Sequence, residues 1–358
     1  MQPSPPVFSH RALDLKHGRI EMAHGAGGRL SAQLVQEIFL PAFEPGEGAA
    51  HGRGAQGDDA AALPFPQAGE KLVLATDAHV VSPLFFPGGD IGALAVHGTI
   101  NDVAMLGARP LYLTASFILE EGLPLSVLAR IAASMGKAAR EANVPIVAGD
   151  TKIVERGKGD GVFISTTGAG AQPPGIAPSG ACARPGDAIL LSGEIGLHGL
   201  AVLSQREGFQ FQSELVSDSA ALHTLVAAML AAAPGIHVLR DPTRGGLGNT
   251  LNEIAQQSGV GMILDESAIP IPGAVAAACE ILGLDPLYIA NEGKLIALCA
   301  EEDAAPLLNV MRAHPLGRDS ARIGTVLADP RGFIRMQTRL GGERMVDWLF
   351  GEQLPRIC

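Results

Sequence analysis

The chain has 358 residues, 47% of them hydrophobic, and a net charge of −11 at pH 7. This length predicts two domains rather than one, with enough apolar material for two cores. The negative charge repels nucleic acid phosphates and anionic lipid headgroups, and aromatic residues make up only 4% of the chain. We therefore expect neither a nucleic acid nor a membrane as partner.

The N-terminal 20 residues lack the uninterrupted apolar core of a signal peptide, and no apolar stretch long enough to span a membrane follows. The four cysteines, Cys182, Cys279, Cys299 and Cys358, form no C-x-x-C pair. Neither a disulfide framework nor a zinc knuckle is therefore indicated. These features predict a cytoplasmic protein.

After a Pro-rich arm at 1–8, the first half of the chain alternates helical and strand patterns. Helical spacing of apolar residues is strongest after Ser126, which is expected to cap that helix. The predicted helices are 30–40, 91–107 and 126–142, and the predicted strands are 71–75, 111–118, 144–148 and 162–171.

The Pro- and Gly-rich segment 172–187 predicts a linker, after which the alternation starts again. Because the connections are short, each half is expected to form an α/β or α+β layer structure. The predicted strands are 188–192, 260–264, 294–300 and 321–327, and the predicted helices are 197–207, 217–233, 247–258, 273–283 and 303–313.

A dispersed set of acidic and amide residues suggests a metal site. Asp77 and Asp150 each come just after a predicted strand, a place where α/β proteins often locate their sites. Two converging carboxylates about 5 Å apart repel by roughly 3 kcal/mol, and a Mg²⁺ ion that also binds nucleotide phosphates removes this cost. Any single aspartate could equally cap a turn. The set comprises Asp58, Asp59, Asp77, Asn101, Asp102 and Asp150.

Three further segments carry candidate phosphate-binding groups. Residues 24–29, HGAGGR, precede a predicted helix, and the backbone N–H groups of such a glycine loop can bind phosphate. The loop matches neither of the common nucleotide motifs, so an ordinary flexible loop explains it equally well. Lys152 in GDTK and Arg244 in DPTRGGLGN can contact phosphate, or simply pair with Asp150 and start a helix.

Two residues could take part directly in chemistry. Glu292 precedes a predicted strand and could act as a general base, although an ordinary turn glutamate fits as well. Cys358 is the last residue, where a thiol is exposed and open to modification. Because it is last rather than fourth from last, it is not a prenylation site. On residues alone, chance explains Cys358 as well as function does.

These segments occur together and in order, and they resemble the HypE family of nickel–iron hydrogenase maturation proteins, the carbamoyl dehydratases. The resemblance runs from about residue 20 to the end. The wider superfamily of aminoimidazole ribonucleotide (AIR) synthetase, selenophosphate synthetase and thiamine-monophosphate kinase shares the aspartate pattern, whereas an ending in PRIC resembles HypE alone. The matching stretches include GAGGRL, GDDAA, GTINDVAMLGA, GDTK, DPTRGGL, NEGKL and PRIC.

The resemblance implies a two-domain PurM-like (AIR synthetase-like) fold of α/β and α+β type. An arm at 1–19 would precede an ATP-binding domain at 20–172. A second domain would span 186–338, and 339–358 would form the tail that carries the modified cysteine. The N-terminal domain would form a barrel-like interface in a homodimer, with ATP in a cleft at that domain.

The resemblance also implies a reaction. The carbamoyltransferase HypF would place a carboxamide on Cys358, and ATP with Mg²⁺, and K⁺ as a further candidate ion, would serve to dehydrate it to a thiocyanate. The cyanide would pass to iron on a HypC–HypD complex. Glu292 would be the base and Lys152 the charge stabiliser. The implied nucleotide contacts are Gly25, Gly27, Gly28, Asp150, Thr151 and Arg244, and the implied metal ligands are Asp58, Asp59, Asp77, Asn101, Asp102 and Asp150.

Two alternatives make different predictions. A small-molecule kinase or synthetase of the same superfamily would turn over ATP only with an added metabolite and would not need Cys358. A non-catalytic scaffold that only presents the thiol would not hydrolyse ATP and would tolerate Asp150→Ala. The PRIC ending argues against the kinase, and the aspartate set argues against the scaffold.

Overall fold

A computed structural model of the chain describes residues 12–26, 29–44, 65–209 and 215–349, together with residues 354 and 357. Within these residues no helix is both long and apolar enough to cross a membrane. Asp58, Asp59, Gly27, Gly28 and Cys358 lie outside the described residues.

The first half forms a four-stranded sheet with helices packed on one face. The strand order is β1-β6-β4-β5, and only the pair β4–β5 is parallel. The strands are β1 (Lys71–His79), β2 (Phe85–Phe86), β3 (Gly89–Asp90), β4 (Arg109–Glu120), β5 (Ile146–Val154) and β6 (Val162–Gln172), of which β2 and β3 form a separate hairpin. The helices are α1 (Arg29–Leu34), α2 (Leu40–Phe43), α3 (Ile91–Met105) and α4 (Leu125–Glu141), with a π-helical turn (Val35–Phe39) between α1 and α2.

The second half forms a seven-stranded sheet of order β13-β12-β9-β11-β7-β10-β8, in which only β12–β9 is parallel. The strands are β7 (Ala188–Leu191), β8 (Val238–Arg240), β9 (Gly261–Asp265), β10 (Ile296–Cys299), β11 (Ala321–Leu327), β12 (Ile334–Gln337) and β13 (Glu343–Met345). The helices are α5 (Leu197–Glu207), α6 (His223–Ala232), α7 (Gly246–Ser258), α8 (Gly273–Leu282) and α9 (Glu301–Ala313).

One hydrophobic core joins the two halves. Residues of α3 and α4 pack in the same cluster as Leu200 and Val275 from the second half, and Leu354 and Ile357 of the tail belong to it as well. The tail is therefore part of the packed structure at these two positions, and the site between the halves has a fixed framework.

Most predicted elements are confirmed, with two corrections. Helix α4 begins at Leu125 with Pro124 as its N-cap, so Ser126 does not cap it. The helix expected at 217–233 begins only at His223, because 217–222 forms an irregular loop. In this loop the Ser219 N–H donates to Ser217 Oγ at 3.2 Å, a local bond that competes with helix formation.

Candidate active site

Five carboxylates meet where the two halves of the chain face each other, and we call them the interdomain acidic cluster. Glu292 is central, because the charges of the other four all raise its pKa. Asp77 lies in β1, Asp102 in α3 and Asp218 in the loop 217–222. Asp241 directly follows β8, and Glu292 lies in the turn before β10. The cluster comprises Asp77, Asp102, Asp218, Asp241 and Glu292.

Glu292 is held in place by its backbone, while one of its carboxyl oxygens lacks a hydrogen-bond partner among the described residues. Its N–H donates to Asp218 Oδ1 at 3.3 Å, and the Lys294 Nζ atom lies 3.3 Å from the other oxygen of Asp218. The Glu292 side chain is buried, and among the described residues its Oε1 atom has no hydrogen-bond partner. Burial, followed by the charges of Asp241 and Asp218, raises the pKa of Glu292 well above its usual value. Positive charge brought to this carboxyl group would act in the opposite direction and favour its ionised form.

The pKa values of three other members of the cluster reflect a competition between burial and mutual repulsion on one side and nearby positive groups on the other. Burial and then the charge of Asp241 raise the pKa of Asp102 to about 7, and burial raises the pKa of Asp241 to about 6. Burial also opposes ionisation of Asp77, but the hydrogen bond and charge of His79 outweigh it and lower the pKa. The His79 Nε2 atom lies 3.2 Å from Asp77 Oδ2. Only some of these carboxylates are therefore ionised at neutral pH.

The chemistry of this cluster fits a divalent cation. All its donors are carboxylate oxygens, which Mg²⁺ prefers, and a cation would relieve their mutual repulsion. Within the part of the chain that the structure describes, no three potential ligands are close enough to form a ready-made metal centre. The cluster thus suits a divalent cation by its negative charge and its oxygen donors, although the ligands are not already arranged around one point.

Asn101 has a different role from the one expected of a metal ligand. Its Nδ2 donates to the Ala220 carbonyl at 3.0 Å, and its Oδ1 accepts from the Leu222 N–H at 2.8 Å. Both polar atoms thus fix the loop 217–222 against α3, and a weaker contact of 3.4 Å reaches the Glu292 carbonyl. The amide inside an apolar helix is explained by this structural contact between the halves.

A second site lies at the edge strand β5. A cavity of about 320 Å³ is lined by Gly25, Asp150, Thr151 and Lys152, together with His24 and apolar side chains. Sequence reasoning assigned the first three to nucleotide binding and Lys152 to charge stabilisation, and the structure brings all four together. Arg244 is elsewhere, since its charge lowers the pKa of Asp77 and Asp102 in the acidic cluster.

Asp150 and Lys152 form an exposed ion pair in this second site. The Lys152 Nζ atom lies 2.8 Å from Asp150 Oδ2, and 66% and 62% of the two side chains are exposed. The hydrogen bond from Lys152 lowers the pKa of Asp150. The pair can therefore meet a solvent-borne anion or metal–nucleotide complex without any rearrangement of the core.

The sheet separates the two sites within one chain. Asp150 is in register with Ser116, Ser116 with Ser165, and Ser165 with Ala78, so these side chains share one face. Asp77 precedes Ala78 and points to the opposite face, roughly 14 Å away across three strand spacings. Asp77 and Asp150, both expected among the metal ligands, therefore lie apart within one chain, and Lys152 does not face Glu292 there.

The tail returns to the boundary between the halves. Ile357 forms an antiparallel bridge with Val81, and its carbonyl accepts a hydrogen bond of 2.6 Å from His198 Nε2. Both Ile357 and Leu354 are buried. Cys358 itself lies outside the described residues, and it is bonded directly to Ile357.

Sequence reasoning missed three residues of these sites. Asp241 begins the DPTRGG motif after β8, where only Arg244 was selected. Asp218 was assigned to a helix, which hid the loop that carries it. His198 lies in α5 with no recognisable motif, and its hydrogen bond to Ile357 joins residues that are far apart in the sequence.

Family profiles cover most of the chain. Residues 57–172 match "AIR synthase related protein, N-terminal domain", and residues 184–337 match "AIR synthase related protein, C-terminal domain". A curated relative, carbamoyl dehydratase HypE of Cupriavidus necator, is 66% identical over 97% of both chains.

Solved structures agree with this assignment. The crystal structure of a hydrogenase maturation protein HypE in complex with ATP has a TM-score of 0.89 and 51% identity, and the match covers 94% of this chain and 99% of that one. A HypE chain in a HypE–HypF complex has a TM-score of 0.76 and 45% identity, and the match covers 88% and 99%. With these matches in sequence, domains and fold, the chain belongs to the HypE family of carbamoyl dehydratases.

Proposed function

We propose that this protein uses ATP to dehydrate an S-carboxamide on its own Cys358 to a thiocyanate, which supplies cyanide to the iron of nickel–iron hydrogenase. The observation that carries the proposal is the burial of Ile357, the residue before Cys358, against His198. His198 contacts Ser217 at 2.8 Å, and the adjacent Asp218 contacts Glu292. The end of the chain is thereby tied to the loop that holds the candidate base.

The dehydration needs a leaving group on the carboxamide carbon. The carboxamide oxygen attacks the γ-phosphorus of ATP, ADP leaves, and a proton is lost from nitrogen to give a phosphorylated imidate. Loss of the second N–H proton then forms the carbon–nitrogen triple bond while phosphate leaves with the oxygen. Water has to be kept out, because it would hydrolyse the activated group.

The chain's own residues suit the steps around that group. Glu292 is buried beside the loop 217–222 and would accept an N–H proton once it is ionised. Lys152 would stabilise negative charge at the phosphates, and Gly25, Asp150 and Thr151 beside it would bind the nucleotide. Asp77 and Asp102 would hold a divalent cation, which supplies charge stabilisation to the transferred phosphoryl group.

The partners follow from the same chemistry. A carbamoyltransferase such as HypF would load Cys358, and the reported HypE–HypF complex of a relative supports that pairing. An iron-bearing complex such as HypC–HypD would take the cyanide.

The outer face of the four-stranded sheet exposes Leu72, Leu74 and Ile118 by 40–64%, which supports its burial in a homodimer. The cytoplasm is the compartment that fits these partners.

Intact-protein mass spectrometry tests the proposal. Protein incubated with carbamoyl phosphate, ATP, Mg²⁺ and the carbamoyltransferase should gain the mass of one carboxamide and then lose one water. The Cys358→Ala variant should show neither change. If wild-type mass never changes while ATP is still consumed, the substrate is a small molecule and the proposal fails.

A further inference from the structure

We propose that His198 is a positioning residue for the tail, whose Nε2–H binds the Ile357 carbonyl and so sets where the terminal residue lies during dehydration. The role in catalysis rests on the proposed function, whereas the docking of the tail by His198 does not. The inference follows from the hydrogen bonds of one buried ring, from a space left by one glycine and from a connection to Glu292.

The hydrogen bonds of His198 fix its tautomer. A carbonyl can only accept, so the Nε2 atom at 2.6 Å from the Ile357 oxygen carries a hydrogen. The ring is fully buried, which lowers the pKa of His198 and keeps the ring neutral. Its Nδ1 atom therefore accepts from the Ser217 hydroxyl at 2.8 Å. The Phe86 ring packs edge-on against the His198 ring, with the two ring centroids 5.4 Å apart, and restricts the orientation of the imidazole plane.

The next residue of α5 makes room for the tail. A Cβ atom on Gly199 would lie 3.0 Å from Leu354 Cδ1 and 2.7 Å from Ile289 Cγ2. The tail therefore has two apolar contacts: Leu354 packs over Gly199, and Ile357 lies beside Val81. The hydrogen bond from His198 to the Ile357 carbonyl joins the tail to α5. Burial of the Leu354 and Ile357 side chains favours binding of the tail, and the hydrogen bond from His198 fixes the position of the tail along the binding site.

This docking site is connected to the candidate base. Ser217, which orients His198, precedes Asp218, and Asp218 Oδ1 accepts from the Glu292 N–H at 3.3 Å. On the other side, the Gly199 N–H donates to the Ala290 carbonyl at 3.1 Å. The tail and Glu292 are therefore positioned by the same short segments. A shift of about 1 Å in the tail is enough to cost up to about 100-fold in rate.

The test compares His198→Phe, which keeps a flat ring without a donor, with His198→Gln, whose amide N–H reaches the position of Nε2. The first readout is the rate at which iodoacetamide alkylates Cys358, followed in the C-terminal peptide released by cleavage before Asp347. The second is the single-turnover rate of water loss from carbamoylated protein. We expect His198→Phe to raise alkylation at least about fivefold and to slow dehydration at least about tenfold, corresponding to one lost hydrogen bond and a misplaced group.

His198→Gln should restore both rates to within about threefold of wild type, a rescue that a merely space-filling role would not give. Loading of Cys358 by the carbamoyltransferase should stay unchanged or become faster, because a released tail is easier to reach. His237→Gln is the matched control, since His237 makes a comparable contact of 2.9 Å with Asp187, away from the tail. It should change neither rate.

Equal alkylation and dehydration rates in His198→Phe and wild type would overturn the inference. If His198→Phe does not fold, as judged by its thermal transition, Ser217→Ala carries the same test by removing the hydroxyl that orients the ring. Unchanged alkylation in Ser217→Ala would then overturn it. The proposed function itself fails only if wild-type protein never loses water, whereas the docking inference is decided by the alkylation rates alone.

Discussion

Ionisation of Asp102 destabilises the folded protein when no ligand is present. Its pKa rises from 3.8 to about 7 through burial and the charges of Asp241 and Asp77. The folded state therefore binds a proton more tightly than the unfolded state does. The contribution of Asp102 to the free energy of unfolding therefore falls as pH rises from about 4 to about 7 and is then constant. A site that must attract positive charge is thus maintained at a cost in stability.

Asp102→Asn should stabilise the ligand-free protein at high pH and abolish its function. Asparagine keeps the shape but cannot ionise, so at pH 8 the free energy of unfolding should rise by about 1–3 kcal/mol. Near pH 4 most of the difference should be gone, because the aspartate is then protonated in the folded state and close to half protonated in the unfolded state. Denaturant unfolding at both pH values, with a chelator present, measures the effect, and water loss from carbamoylated Cys358 measures the function.

The exposed Glu155 provides the control for this prediction, since Glu155→Gln should alter neither stability nor dehydration. An Asp102→Asn variant that is less stable than wild type at pH 8 would show that Asp102 is ionised and paired. The acidic cluster would then need no added cation.

Among the elements, the loop 217–222 links α3, the tail and Glu292. Its approach to the segment before β10 depends on Gly293, because a Cβ atom there would lie 1.8 Å from the Asp218 carbonyl oxygen and 3.1 Å from the Ala220 nitrogen. Both are backbone atoms, so the loop would have to move as a whole.

Gly293→Ala should therefore separate the loop from Glu292. Overpacking of this kind costs about 1–3 kcal/mol and should lower Tm by roughly 1–4 °C. Dehydration should fall at least about tenfold, while ATP should still bind at the cavity beside β5, which the loop does not line. Thermal unfolding, nucleotide binding and single-turnover water loss measure the three effects.

Gly273→Ala is the matched glycine control, because a Cβ atom at the start of α8 meets nothing within 4 Å. It should leave Tm and activity unchanged. If Gly293→Ala dehydrated the tail at the wild-type rate, the position of the loop 217–222 would be irrelevant to the reaction.

The same loop shows what the sequence could and could not predict. The long elements were predictable, because helix α4 and strand β4 have clear apolar periodicity. Residues 217–222 run into the apolar pattern of α6 without a Gly or Pro, yet the side chain of Asn101, a distant residue in the sequence, binds the backbone of Ala220 and Leu222 instead. Such long-range hydrogen bonds leave no local signal, so the loop was predicted as helix and Asp218 was overlooked.

For the whole molecule, the decisive property is the face of the sheet on which each residue lies. The family resemblance implied that Gly25, Asp150 and Thr151 bind the nucleotide and that Lys152 stabilises charge, and the structure groups these four residues around one cavity. The sequence did not indicate that Asp77 and Asp150 point to opposite faces, because that depends on register across four strands. Lys152 and Glu292 can act on one substrate without any movement of the tail across the sheet if the outer face of one chain meets the interdomain cluster of another.

Mixed dimers should therefore separate action within one chain from action between two. A dimer of one Lys152→Ala chain and one Glu292→Gln chain, co-expressed with two different tags, contains one intact Lys152–Glu292 combination if the two residues come from different chains. It should lose about half as much water per dimer as wild type, although each parent variant alone is inactive. Single-turnover mass spectrometry of the doubly purified dimer measures the yield.

The reciprocal dimer makes the opposite prediction and serves as the control. When both substitutions lie on one chain and the other chain is wild type, an intersubunit site has no intact combination and should be inactive. A site within one chain would instead retain about half of the wild-type yield. Activity in the reciprocal dimer together with inactivity in the first one would place Lys152 and Glu292 in the same chain, and would require the tail to cross the edge of the sheet to reach both.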